Sequence, residues 1–333
     1  MSKFMSKLLC AVAMIAALST SSFGVTKWDY YSFTGVTHPI TKYQMAFAAE
    51  VEKRTKGELK IVVRPAGELP FRIDEAGKIA GEGLVQIADA YGGFIAGTVP
   101  IAGIGGHPFL VRTTAEGLKI WPILDKYTKP EFQKLGAKVL FHYYWPPQTL
   151  FGSGKPIRSA ADFAGRKIRT TDPKQAELVK RLGGQSITLA TAEVPVAVQR
   201  GLMEGVMTAT FNLVGAKWTE FVKWVWYADI NIGGPSFQLV NLKAYNALAP
   251  DVRKVLDEVA AEWGDKMTKE IDAIEAEAKK TLKAKFGIDT YDASPAAVDE
   301  IVKKVSPYWE EWARQNGPNA AAMMKEIRAA LGR

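Results

Sequence analysis

The sequence predicts an α/β protein that is long enough for two domains. It has 333 residues, of which 47% are hydrophobic and 23% charged, as in ordinary globular proteins. Helical and strand patterns alternate along much of the chain, which favours mainly parallel sheets covered by helices. A chain of this length can bury two separate cores, so we expect two domains.

The first predicted unit is a helix followed by a strand. Apolar residues recur at helical spacing from Ile40 to Val51, and this pattern ends at Gly57. Residues 59–63 then have the composition of a buried strand. The same order returns further on, with predicted helices at 74–80, 114–127 and 173–182 and predicted strands at 85–91 and 138–144.

Residues 250–286 are predicted to form one long helix. Pro250 suits its first turn, and the segment exceeds the usual length of a globular helix. Opposite charges stand four residues apart at three places: Glu262/Lys266, Asp265/Lys269 and Glu275/Lys279. We interpret this charge pattern as a solvated helix face.

The N-terminal residues have the organisation of a secretory signal peptide. Lys3 and Lys7 form a positive region, residues 8–18 are apolar, and residues 19–24 are mostly small. The apolar run is shorter than the roughly 20 residues that a transmembrane helix needs. Cleavage would also remove Cys10, the only cysteine, which excludes disulfides and cysteine-ligated metals from the mature chain.

The net charge is compatible with an anionic ligand. The formal charge is +8 and falls to +6 when Lys3 and Lys7 leave with the signal peptide. Nucleic acid is the competing explanation for a basic protein. The basic residues are interleaved with acidic ones and form no aromatic-basic stripe, so we expect no nucleic-acid partner.

The segment around Arg169 contains the first candidate for ligand binding. Ser159 can cap a short helix, Gly165 can turn the chain, and residues 167–169 begin a strand. Side chains alternate along a strand, so Arg169 points away from Ile168, into a cleft or onto the surface. Two interpretations stay open from this pattern: a clamp for a ligand carboxylate, or a surface arginine in an ordinary ion pair.

Signals for catalysis are weak. His38, His107 and His142 are widely separated, which favours structural roles over a histidine metal site. Residues 152–156 lack the first glycine and the hydroxyl residue of a phosphate loop, and residues 103–106 match a dinucleotide fingerprint poorly. We expect no metal and no cofactor. A hydrolase with scattered acid pairs stays open as an alternative, because carboxylate dyads need no local motif.

Several short segments together resemble the signature of the solute-binding proteins of TRAP (tripartite ATP-independent periplasmic) transporters, the DctP-type family. The main segments are residues 155–157, Asp162-Phe163, 165–169, 182–184, Glu193-Val194 and 199–205. The likeness continues through residues 57–61, 83–90, 108–110 and the helical C-terminus, and covers essentially the whole mature chain. These segments favour the TRAP class over ABC-type binding proteins, which stay open as an alternative.

The resemblance implies a periplasmic binding protein with a type II-like fold: two domains, a hinge, a ligand cleft, and a long helix spanning both domains. By analogy, residues 1–24 are the signal peptide. Residues 25–147 plus about 234–270 form domain I, and residues 148–233 plus about 271–333 form domain II with the C-terminal helices. The implied receptor is a periplasmic monomer without enzymatic activity that docks to small and large permease subunits.

The resemblance also implies that Arg169 pairs with the carboxylate of a small organic acid. Thr208 stands where asparagine binds the ligand in better-known members. Aromatic and amide side chains near strand ends are the candidates for the remaining walls of the site. They are Tyr31, Phe33, Tyr91 and Phe211, together with Trp145 and Gln148, which lie in or beside a predicted turn at residues 143–147. That turn carries no second arginine, so we expect a monocarboxylate with an aromatic or apolar body.

Overall fold

The structure is a computed structural model that describes residues 25–333, so the predicted signal peptide lies outside the described residues. The strands are β1 (Thr26–Tyr31), β2 (Leu59–Arg64), β3 (Ile87–Tyr91), β4 (Ala137–Gly152), β5 (Lys167–Thr170), β6 (Gln185–Thr188), β7 (Gly205–Thr208), β8 (Trp224–Asn241) and β9 (Asp289–Asp292). The helices are α1 (Pro39–Arg54), α2 (Ala76–Glu82), α3 (Thr114–Leu135), α4 (Pro173–Arg181), α5 (Val194–Gln199), α6 (Thr210–Gly215), α7 (Leu242–Ala247), α8 (Pro250–Phe286), α9 (Pro295–Val305), α10 (Pro307–Gln315) and α11 (Gly317–Leu331).

The strands form one mixed sheet of nine strands in the order β2-β1-β3-β8-β4-β7-β5-β6, with β9 paired to β8. Strand β1 runs parallel to β2 and β3, and β5 runs parallel to β6 and β7. The long strands β4 and β8 are antiparallel to each other and to their neighbours β7 and β3. The prediction of α/β architecture is confirmed, but the sheet is two parallel groups joined by an antiparallel pair.

The prediction of a turn at residues 143–147 is wrong. These residues lie inside β4, which continues through Pro146 and Pro147 to Gly152. Proline has no N–H to donate to the ladder, and the register with β8 shifts between Tyr143 and Trp145 and again before Pro147. The strand therefore accommodates both prolines by local irregularity and crosses from one parallel group to the other.

The long helix α8 has the predicted limits. Leu256, Met267 and Ile271 are buried on its inner face, and Gly287 ends it with a φ of 65°, which glycine adopts without strain. In its N-terminal half the indole N–H of Trp263 donates to Tyr43 O of α1 at 3.2 Å. Further along, α8 packs against α6, which follows β7. The helix thus contacts elements beside both parallel groups.

The C-terminal helices contact elements from both predicted domains. Lys126 of α3 forms an ion pair with Glu326 of α11 at 2.8 Å. Arg181 of α4 forms another with Glu311 of α10. The domain boundaries given above stay a prediction. Within residues 25–333, no helix is long and apolar enough to cross a membrane.

Candidate functional site

A pocket of about 330 Å³ opens where the carboxyl ends of β3, β5 and β7 meet β4. Tyr91 ends β3, Thr208 ends β7, and Thr171 follows the last residue of β5. Strand ends of this kind are the usual ligand sites of open α/β sheets. The pocket is lined by Phe33, Tyr91, Phe94, Trp145, Gln148, Arg169, Thr171, Thr191, Thr208 and Asn212.

Most of the predicted site residues come together around this pocket. Those that line it are Phe33, Tyr91, Trp145, Gln148, Arg169 and Thr208. Sequence reasoning missed four further lining residues, namely Phe94, Thr171, Thr191 and Asn212.

Tyr31 and Phe211 were predicted to line the site, and the structure places both elsewhere. Tyr31 packs against Phe71 with ring centroids 6.5 Å apart, and its hydroxyl donates to Phe71 O at 3.4 Å. Phe211 lies at the start of α6, outside the pocket lining, and its ring packs on Trp145 at 5.4 Å. Both side chains are buried in the core, where neighbouring elements decide their direction.

Arg169 is buried beside the pocket, with an exposed fraction of 1%, so the interpretation as a surface arginine is wrong. Its Nε and Nη2 atoms donate to Leu189 O at 3.0 and 2.6 Å. Its Nη1 atom donates to Met207 O at 3.0 Å. A guanidinium has five N–H groups, so these contacts leave one on each terminal nitrogen, the number that a bidentate carboxylate accepts.

The charge of Arg169 is not neutralised by an adjacent acid. Among residues 25–333, no carboxylate lies within salt-bridge distance of its guanidinium. Burial lowers the pKa of Arg169 to about 10, while the more distant charges of Asp172 and Glu193 act in the opposite direction. The group therefore stays cationic at neutral pH, and burying an uncompensated charge is costly.

An aromatic wall forms the apolar side of the pocket. Phe33 stacks on Trp145 with centroids 6.0 Å apart and an interplanar angle of 25°. Phe94 meets Phe33 at 5.6 Å and Tyr91 at 4.9 Å, both edge to face. Within the described chain, the Trp145 indole Nε1–H is buried and has no hydrogen-bond partner. Buried donors are normally paired, so this N–H suits a ligand acceptor.

The remaining polar side chains are held by short local contacts. Gln148 Nε2 donates to Pro146 O at 3.0 Å. The Thr171 hydroxyl donates to Gln175 Oε1 at 2.9 Å, and Thr208 Oγ1 accepts from Asn212 Nδ2 at 2.8 Å. These contacts fix the rotamers before a ligand binds, which reduces the entropy cost of binding.

One missed residue had a signal in the sequence. Thr171 lies two positions beyond Arg169, so strand alternation places both side chains on one face. Asn212, by contrast, reaches the pocket because α6 turns back after β7, and Phe94 because the chain folds after β3. These positions depend on tertiary packing, which residue spacing does not specify.

The pocket presents donors rather than metal ligands. Within the described residues, no group of three or more His, Cys, Asp or Glu side chains is placed to hold a metal ion. The cation of Arg169 and the indole N–H of Trp145 favour an anionic ligand rich in acceptor oxygens.

Known proteins match both the sequence and the fold. The chain is 26% identical over 260 residues to the 2,3-diketo-L-gulonate-binding periplasmic protein YiaO of Escherichia coli, covering 76% of this chain and 77% of the relative. The crystal structure of DctP7, a Bordetella pertussis extracytoplasmic solute receptor binding pyroglutamic acid, superposes with a TM-score of 0.85 at 23% identity, covering 91% of this chain and 100% of that one.

A TRAP solute-binding protein from Rhodoferax ferrireducens, solved with copurified benzoate, superposes with a TM-score of 0.83 at 19% identity, covering 92% of this chain and 98% of that one. The model of the DctP family, bacterial extracellular solute-binding protein family 7, matches residues 32–316. The match spans nearly all of the described chain. The chain therefore belongs to the DctP family of TRAP-transporter solute-binding proteins.

Proposed function

We propose that this protein is a periplasmic receptor that captures a small organic carboxylate through a salt bridge to Arg169. The favoured ligand is a monocarboxylate with an aromatic or apolar body. The observation that carries the proposal is the buried Arg169 guanidinium, which has an unused N–H on each terminal nitrogen and no adjacent acid in the described chain. A carboxylate would supply both the missing charge and the missing acceptors.

Pocket size and lining support a small ligand with one charge. The pocket is small, because its empty space of about 330 Å³ includes part of the open mouth. Arg169 is the one cationic side chain among the described lining residues, so a second carboxylate would lack a counter-charge. The Phe33, Phe94 and Trp145 wall suits an apolar body better than a chain of hydroxyl groups.

The relatives support an organic acid, and they also supply the competing candidate. DctP7 binds pyroglutamic acid and the Rhodoferax ferrireducens protein was solved with benzoate, whereas YiaO is named for a diketogulonate. A hydroxylated sugar acid is thus the second candidate. It would need several acceptors and donors along its body, and the aromatic side of this pocket offers few.

Capture would proceed by closure of the two predicted domains. The aromatic wall comes from residues before 147, and Arg169 and Thr208 come from the segment after it. A ligand between them contacts both sides and so stabilises the closed form over the open one. The closed monomer would then dock to the small and large permease subunits. Membership of a receptor family favours this role over an ABC-type binding protein or an enzyme.

The test is a thermal-shift screen of the mature protein, refolded to remove copurified ligand. The library contains benzoate, phenylpyruvate, 4-methyl-2-oxopentanoate, pyroglutamate, galacturonate and succinate. Saturation at about 100 times Kd should add roughly 2.7 kcal/mol to the free energy of unfolding. The variants are Arg169→Ala and, as a matched control, Lys167→Ala, whose exposed side chain starts the same strand.

A shift with an aromatic or branched monocarboxylate that Arg169→Ala abolishes and Lys167→Ala retains would support the whole proposal. A shift with galacturonate alone would show that the ligand is a sugar acid and not an apolar monocarboxylate, while the salt bridge to Arg169 would still stand. Binding that survives Arg169→Ala would refute the salt bridge. No shift with any member of the library would refute the carboxylate receptor.

A further inference from the structure

A chain of hydrogen bonds leads from the start of α1 to the pocket. The backbone N–H of Ile40 donates to His38 Nδ1 at 3.2 Å. His38 Nε2 lies 3.1 Å from Asn212 Oδ1, and Asn212 Nδ2 donates to Thr208 Oγ1 at 2.8 Å. The three side chains are at most 7% exposed. This chain of hydrogen bonds through His38, Asn212 and Thr208, called the relay below, joins the helix that follows β1 to the polar side of the pocket.

The direction of every bond in this relay is set at its first step. The backbone N–H of Ile40 can only donate, so His38 Nδ1 must be the acceptor nitrogen. In the neutral ring the proton is then on Nε2, which donates to Asn212 Oδ1. That leaves the Asn212 amide NH₂ to donate to Thr208. Thr208 Oγ1 is an acceptor here, and its own proton is not used in this bond.

The environment keeps His38 neutral. Its ring lies between Trp145, with centroids 5.9 Å apart, and Phe211, at 5.8 Å. Burial lowers the pKa of His38 to about 4, and the hydrogen bond that His38 donates to Asn212 opposes this only in part. His38 is also the N-cap of α1, and the positive end of a helix dipole disfavours a second proton on the ring.

The Thr208 hydroxyl faces the same space as Arg169. Strands β5 and β7 are parallel neighbours in which Arg169 pairs with Val206, so Thr208 lies two residues further along β7. That spacing puts Arg169 and Thr208 on one face of adjacent strands. Among the described residues, the bond from Asn212 is the only hydrogen bond of the Thr208 hydroxyl, and its proton is available to a ligand.

We propose that His38 and Asn212 are positioning residues that fix the Thr208 hydroxyl as a donor, so that the site selects a carboxylate whose body carries an acceptor oxygen over one that carries an ammonium group. This inference rests on the proposed carboxylate receptor. An oxo or hydroxy oxygen would accept the Thr208 proton. An ammonium group offers only donors, so it would leave the Thr208 proton unpaired and would lie in the field of Arg169.

The experiment compares matched ligands by calorimetry on the mature protein. The probes are 4-methyl-2-oxopentanoate, 2-hydroxy-4-methylpentanoate and leucine, and in parallel phenylpyruvate, phenyllactate and phenylalanine. Within each set the carbon skeleton is constant and the 2-substituent changes. We expect the oxo or hydroxy acid to bind at least about tenfold more tightly than the amino acid, the factor expected from one buried unpaired donor.

A set of variants distinguishes loss of the relay from a general loss of stability. His38→Asn keeps an acceptor for the Ile40 N–H and remains a good N-cap, but it is too short to donate to Asn212. We expect it to weaken oxo-acid binding about tenfold with little effect on the amino acid. Thr208→Val should abolish the preference, and Thr208→Ser should retain it. His142→Asn is the control, because His142 is half-buried, stacks on Trp121 and does not line the pocket.

A long-range ¹H–¹⁵N spectrum supplies a readout that a purely structural role would not require. We expect the Nε2–H tautomer of His38 in the wild type. The Nδ1–H tautomer would overturn the relay, as would equal effects of His38→Asn and His142→Asn, or tighter binding of the amino acids. If Arg169→Ala abolishes binding but Thr208→Val leaves the preference intact, only this inference fails. If no probe binds, both the inference and the proposed receptor fail.

Discussion

The carboxylate of Glu275 accepts the backbone N–H of Phe211 at 2.7 Å. It also accepts the N–H of Thr210 at 3.2 Å, so one side chain of the long helix α8 satisfies both donors at the start of α6. The exposed fraction of Glu275 is 4%, so the interpretation of Glu275/Lys279 as part of a solvated helix face is wrong for Glu275, and burial raises its pKa. Lys279 lies 3.7 Å away and supplies a partial counter-charge.

Replacing Glu275 by alanine should destabilise the protein and weaken ligand binding. Two buried N–H groups would lose their acceptor, at about 1–3 kcal/mol for each unsatisfied donor. Because α6 carries Asn212, loosening its first turn should also disturb the pocket. Urea unfolding and calorimetry measure the two effects. Glu277→Ala, an exposed position on the same helix, should change neither. Unchanged stability in Glu275→Ala would contradict the capping role.

Arg169→Lys should fail to restore carboxylate binding. Lysine keeps the charge but cannot donate to Leu189 O, Met207 O and a ligand with one planar group. We expect Kd to rise at least about tenfold, with a smaller loss of stability than in Arg169→Ala. Calorimetry with the best ligand from the screen measures this. Near wild-type affinity in the lysine variant would show that charge alone is enough.

His38 and His142 should each destabilise the protein as the pH drops from about 6.5 towards 4. Burial lowers the pKa of His38 to about 4 and that of His142 to about 3, both below the usual value of about 6.5 for histidine. In this window the unfolded chain binds protons that the folded chain does not. Each histidine therefore costs roughly 1.4 kcal/mol of unfolding free energy per pH unit.

Denaturant unfolding at several pH values measures this slope, and His142→Asn should reduce it. Asp89 acts in the opposite sense, since burial raises its pKa to about 6. Its stabilising contribution is complete below about pH 3.9 and is lost as the pH rises to about 6. An identical pH dependence of stability in the wild type and in His142→Asn would contradict the lowered pKa of His142.

Asp89→Asn should be destabilising even though it removes a buried charge. The carboxylate of Asp89 accepts four hydrogen bonds from donors in the core under the pocket: Gln44 Nε2 at 2.7 Å, Tyr143 Oη at 2.9 Å, Ser236 Oγ at 2.6 Å and Gln238 Nε2 at 2.8 Å. An asparagine amide has an NH₂ group in place of one carboxylate oxygen, so its N–H donors would face some of these four donors and leave them without an acceptor. We expect a loss of about 2–5 kcal/mol in urea unfolding. Asp299→Asn, at an exposed position, serves as the control. A neutral or stabilising effect of Asp89→Asn would refute the need for a carboxylate acceptor at this position.

Local sequence patterns predicted much of the fold. The limits of α8 follow from Pro250 at its first turn and Gly287 beyond its end, both of which are local signals. The extent of β4 could not be predicted in this way, because Pro146-Pro147 is ordinarily a turn signal. In the structure this segment is extended and lies in the ladder with β8, where Trp145 is paired with Gly233 and Pro147 with Ile232.

The candidate site was also only partly predictable from local sequence patterns. The strand pattern gave the direction of Arg169 relative to Ile168, and both are buried on opposite sides of β5. The pattern did not reveal that Arg169 would be held by two backbone carbonyls from other strands and loops. It also gave no sign that His38 contacts Asn212, a residue 174 positions away. Contacts of this kind exist only once the chain has folded.

Strand β4 places an aromatic sensor on the element that links the two groups of strands. Trp145 lines the pocket, and its register with β8 is irregular on both sides. Under the proposed mechanism, ligand binding would change the polarity around the indole directly, and closure would change its contact with Phe211, which lies in the other predicted domain. Its fluorescence therefore gives a label-free optical signal of occupancy, and a Trp145→Phe variant identifies that signal against the other tryptophans.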